Sequence, residues 1–130
     1  MIMRILMAAL AAVVLAGCEN TPISADKADP LPANRIYAFT QKGDSELVVT
    51  RDSGMNQGGL KLKFYIDGTL AATFGQGEVG RFGLTRGTHI LALSDGSALV
   101  ESEIESVPGQ TIRRRISVSM QGFELSPTSL

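Results

Sequence analysis

The chain lacks tryptophan entirely and holds only one histidine and one cysteine among 130 residues. A single cysteine cannot close an intrachain disulfide, so the fold must rest on apolar burial. One histidine and one thiol also leave few candidates for metal ligation or nucleophilic catalysis. Twelve bases against 13 acids leave a net charge of −1, which gives no electrostatic argument for nucleic acid or acidic lipid. Aromatic residues make up 5%, too few to build a stacking platform for bases. Long hydrophobic runs are missing as well. The longest covers residues 5–16, about 12 residues where a bilayer-spanning helix takes about 20.

That run follows Met1 and Arg4 and ends in Leu15-Ala16-Gly17-Cys18. A short basic start and an apolar stretch of this length suit a secretory signal over residues 1–17. The tetrapeptide resembles the lipobox of bacterial lipoproteins. The resemblance implies that the Cys18 sulfur carries a diacylglycerol, that the leader is cut before Cys18, and that the new amino group is acylated with a palmitate-type chain. No other cofactor is implied. One chain binds membranes reversibly and two bind stably at ~0.8 kcal/mol per buried CH₂, so three would anchor permanently. Glu19 follows. In the sorting scheme this resembles, Asp at that place retains a lipoprotein in the inner membrane. Glu19 therefore implies the outer membrane of the cell envelope, facing the periplasm.

About 113 residues then remain, with 11 bases and 13 acids, enough for one small domain. Residues 18–34 read as a lipidated tether, because Pro22, Pro30 and Pro32 interrupt small and charged residues without an apolar period. From residue 35 to 130 the chain changes to short β-rich runs cut by glycine turns. The runs are 35–40, 46–50, 60–66, 69–74, 79–85, 88–94, 98–107 and 111–120. Leu60, Leu62, Phe64 and Ile66 alternate with Lys61, Lys63 and Tyr65, and Asp67-Gly68 is a strong two-residue hairpin signal. Seven or eight such strands predict an all-β fold, an antiparallel β-sandwich or a small barrel.

Register follows from the turns. Asp95-Gly96 as a two-residue turn sets Leu93 opposite Ala98, Leu91 opposite Val100 and His89 opposite Ser102. The next connection, at Pro108, holds two or three residues. Three segregate apolar from charged residues better, pairing Ile104 with Arg114 and laying Glu105 beside Arg113 and Glu103 beside Arg115 on a solvated face.

Chemistry-bearing residues are sparse. His89 falls on the presumed core face, where a buried imidazole ordinarily finds a hydroxyl or carbonyl partner. Arg114, flanked by Ile112 and Ile116, must snorkel, pair or line a polar notch. With Ser102 and the Gly87 backbone these two residues outline a small ligand notch at one end of the sandwich. A Ser-His-Asp site fails on geometry, since the glutamates of 101–105 face the other way. Gly75 to Gly80 spells G-x-G-x-x-G but opens no helix, so it makes no phosphate cradle. Catalytic and metal residues are not expected.

The strand and turn order carries a further resemblance. Arg35-Ile36-Tyr37-Ala38-Phe39, Phe64-Tyr65-Ile66-Asp67-Gly68, Gly87-Thr88-His89 and Val107-Pro108-Gly109-Gln110-Thr111 are similar to a family of small bacterial lipoproteins of unknown function with a PEGA-like, Ig-like β-sandwich domain. Arg86 stands where that family has a turn proline, and Ile112 where it has an aromatic. The resemblance implies a sandwich displayed from a membrane, with no catalytic residues. It points to a non-enzymatic structural or interaction module with an envelope protein as partner and no nucleic acid. The alternative is a small ligand-binding or inhibitor module using the notch near His89 and Arg114.

Overall fold

The computed structural model describes residues 21–54 and 59–130. Among the described residues, nine strands form two sheets. They are β1 (Asp29–Pro30), β2 (Ser45–Arg51), β3 (Leu62–Ile66), β4 (Thr69–Phe74), β5 (Glu78–Leu84), β6 (Gly87–Ser94), β7 (Leu99–Ser106), β8 (Thr111–Ser119) and β9 (Gly122–Pro127). One sheet has the order β1-β5-β2-β8-β9 and the other β4-β3-β6-β7. Pairing is antiparallel except for β1 with β5 and β2 with β8. The fold is an all-β sandwich.

Alternation builds the core. Leu62, Phe64 and Ile66 of β3 point inward with Leu91 and Leu93 of β6, toward Leu47 and Val49 of β2, Phe82 and Leu84 of β5 and Ile112, Ile116 and Val118 of β8. Phe64, Phe74 and Phe82 meet across the two layers at centroid distances of 5.5–6.5 Å. The β3–β4 hairpin turns at Asp67 (φ 51°) and Gly68 (φ 78°), the paired left-handed conformation of a type I′ turn.

Registers fix two ends. At the lower end β2 and β8 finish, and β5 and β9 begin. Arg51 at the end of β2 donates to carbonyls just before β3 and at the close of β4, so those ends lie here too. The upper end gathers 40–44, the Asp67-Gly68 turn, 85–86 and 107–110. There Ser45 of β2 hydrogen-bonds Ser106 of β7 through their hydroxyls.

Four expectations need correction. Residues 35–40 are not a strand: Ala33–Arg35 is a 3₁₀ turn, only Ile36 makes an isolated bridge, to Ala72, and Phe39 takes φ 62°. This stretch crosses from one sheet to the other along their edges, so it cannot stay in either ladder. The turn after β6 spans four residues, because the Asp95 carboxylate accepts from the Ser97 and Ala98 N–H groups. Leu93 therefore faces Val100, Leu91 faces Ser102 and His89 faces Ile104.

The hairpin of 98–107 with 111–120 does not form. β7 and β8 lie in different sheets, because Ile112, Ile116 and Val118 complete the core beside β2, with Leu47 opposite Ile112. Among the described residues no Glu–Arg ladder forms between β7 and β8; Glu105 accepts from Thr88, and Arg115 binds Asp52.

The described part of the expected tether, residues 21–34, is folded onto the domain. Ala25 and Ala28 are buried on Val48 and Val79 with Ile23 alongside, and Leu31 enters the main core. Small alanines let this backbone lie close to the outer face of β2 and β5.

Candidate functional site

The upper end carries the histidine. His89 Nδ1 donates to Asp67 Oδ2 at 2.6 Å and Nε2 to the Thr85 carbonyl at 2.7 Å. With an acceptor at both nitrogens, the ring is held as an imidazolium. Burial pushes its pKa down, but the Asp67 carboxylate and Thr85 carbonyl outweigh that and hold it above the ordinary value. Asp67 is held below its usual range: His89 and the Ile90 N–H outweigh the upward push of burial. The turn that closes β3–β4 is thereby tied to β6.

Beside it lies an open recess of about 510 Å³ on the outer face of β2, β5 and β8. Lys42, Asp44, Glu46, Arg81 and Gln110 are among the polar residues that line it. Arg81 pairs with Glu46 at 3.2 Å, and Asp44 accepts from the Arg86 N–H at 3.0 Å. Gly83 sits at its floor. A Cβ there would overlap the Gln41 carbonyl, so the 39–43 segment can cross β5 only over a glycine.

The expected notch is dispersed. His89 lies on β6, Ser102 of β7 faces Leu91 of β6, and Arg114 points inward from β8 in the other sheet. No hydrogen bond or ion pair joins the three among the described residues. Arg114 Nη1 donates to the Arg113 carbonyl at 2.9 Å, while its buried Nε has no partner among the described residues. Burial lowers its pKa. Gly87 (φ 115°) opens β6.

The lower end is closed by arginines. Arg51, the largest fully buried side chain among the described residues, donates from Nη1 to the Leu60 and Phe74 carbonyls at 2.7 and 2.8 Å. Its Nε and Nη2 have no partner among the described residues, and burial lowers its pKa, partly offset by the charge of Glu78. Sequence reasoning missed it by ending the strand at Thr50, although alternation from Leu47 and Val49 carries inward to residue 51. Asp52, buried, accepts three hydrogen bonds from Nε and Nη2 of Arg115 at 2.8–3.0 Å.

Gly75-Gln76-Gly77 turns β4 into β5. Glu78 fills that turn, accepting from the Gly75 N–H and from Nη1 and Nη2 of Arg35. The G-x-G-x-x-G string thus cradles the chain's own carboxylate.

The amino-terminal segment enters at this lower end. Thr21 and Ser53 exchange two backbone hydrogen bonds, at 2.6 and 2.9 Å. Cys18 and Glu19 lie outside the described residues. Among the described residues, no three His, Cys, Asp or Glu side chains group as metal ligands, and no helix is long and apolar enough to cross a membrane. Comparison with protein-family models, with curated proteins and with solved structures returns no match.

Proposed function

We propose that the protein is a lipid-anchored lipoprotein of the bacterial envelope, in which the sandwich is a non-catalytic structural or interaction module. The observation that carries this reading is Leu15-Ala16-Gly17-Cys18 at the end of a 12-residue apolar run, as the chain's only cysteine. Triple acylation of Cys18 would hold the domain at the membrane, and Glu19 would route it to the outer membrane. The upper-end loops are then free to meet an envelope protein. Cys18→Ala should abolish palmitate incorporation and release the chain from the membrane pellet. Unchanged incorporation and pelleting would overturn the reading.

A second reading is a small-ligand module, favoured by the recess of about 510 Å³ lined by Lys42, Asp44, Glu46 and Arg81. A partner protein would crosslink to the lipidated chain in cells. A ligand would raise the melting temperature of the isolated protein.

A further inference from the structure

Only three residue steps separate Cys18 from Thr21, which reach at most ~11 Å even when fully extended. Thr21 is no free linker residue. Its N–H and C=O are both bonded to Ser53, Lys27 and Ala28 N–H groups fold back on the Ser24 carbonyl, and Asp29 N–H bonds Gly77. Burial of Ala25, Ala28 and Leu31 fixes the rest of the segment. The headgroup layer of one leaflet is about 5–8 Å thick. A chain pinned at Thr21 therefore has almost no length left once its acyl chains are in the hydrocarbon.

The lower end also holds two apolar side chains that the fold leaves in water. Met120, in the β8–β9 turn, is 82% exposed, and Leu99, at the start of β7, is 58% exposed. Neighbouring strands lie ~4.8 Å apart and facing sheets ~10 Å apart, so both are within lateral reach of the end of β2. The loops that follow β2, β4, β6 and β8 share this end. These loops carry no basic run, so insertion of apolar side chains, and not attraction to anionic lipid, is the chemistry on offer.

Resting on the lipid-anchor reading, we infer that the lower end of the sandwich is a membrane-contact surface. It lies directly on the headgroups of a phospholipid bilayer, with Met120 and Leu99 entering the interface and the upper-end recess turned away. The domain is seated on the membrane, not held clear of it.

The test uses the acylated full chain, as matured in cells, reconstituted in phosphatidylcholine vesicles that carry a headgroup quencher. Since acylation consumes Cys18, a fluorophore can be placed singly through Met120→Cys, Leu99→Cys or, at the upper end, Val107→Cys. All three positions are exposed, which spares the fold. Labels at 120 and 99 should be quenched at least threefold more than the label at 107. Equal quenching at all three positions, or greater quenching at 107, in a chain that floats with the vesicles overturns the contact surface while leaving the anchor intact. A chain that does not float and whose Cys18 is unmodified overturns the anchor and, with it, this inference.

Discussion

Replacing Asp67 by asparagine should cost stability in one pH window and little outside it. Asparagine tolerates the left-handed φ of 51° that this turn position needs, so the hairpin survives and only the charge is lost. The charge matters because Asp67 accepts from His89 Nδ1 at 2.6 Å while Thr85 accepts from Nε2. Charge-assisted bonds contribute about 1 kcal/mol more than neutral ones. With the Asp67 side chain 43% exposed, screening trims that to ~0.5–1 kcal/mol.

The signs are opposite for the two partners. The pKa of His89 is raised in the fold, so its contribution is complete below about 6.5 and disappears as pH climbs through the folded value. The pKa of Asp67 is lowered, so its contribution is present above about 3.8 and disappears as pH falls through the folded value. Thermal unfolding followed by circular dichroism should show wild type melting ~2–4 °C above Asp67→Asn at pH 5. The gap should shrink below about 1 °C at pH 9. An equal gap at both pH values would refute the imidazolium assignment.

Three further substitutions probe the frame. Gly83→Ala should destabilise by about 3 kcal/mol or more in urea titration, because its Cβ meets the backbone of Gln41, which cannot swing aside as a side chain can; a change under ~1 kcal/mol would contradict the crossing at 39–43. Arg51→Met should cost about 1–3 kcal/mol, since the Leu60 and Phe74 carbonyls lose a donor while relief of the buried charge offsets only part; an equal or higher urea midpoint would show that the guanidinium is dispensable. Removing residues 1–34 should lower the melting temperature by 10 °C or more on the order of magnitude set by burying Leu31, Ala25 and Ala28; an unchanged melt would mean that the segment is a tether after all.

What the sequence revealed was local. The alternation of Leu62, Phe64 and Ile66 and the Asp67-Gly68 turn need only neighbours to specify them, and both formed as read. The loop after β6 was read two residues too short, yet the inward residues stayed inward, because an even shift preserves the face. Partner choice was not legible. β8 pairs in parallel with β2, more than 60 residues earlier, and nothing in Ile112 or Ile116 distinguishes that partner from β7. The same gap hid the role of Arg115, whose acceptor is Asp52 and not a neighbouring glutamate. Prolines 22, 30 and 32 suggested an unattached leash, whereas what decides the matter is that Ala25 and Ala28 are small enough to lie on Val48 and Val79. The expected notch failed for a related reason: the expected β7–β8 pairing set Arg114 opposite Ile104 in one sheet with Ser102, whereas β8 pairs with β2 in the other sheet.

The most direct measurement is an intact-mass and peptide spectrum of the protein extracted from bacterial membranes. The expected species begins at Cys18, with a diacylglycerol on sulfur and a third acyl chain on nitrogen. A chain still carrying Met1, with a free thiol at position 18 and recovered in the soluble fraction, would contradict the anchor and the seating of the sandwich built on it.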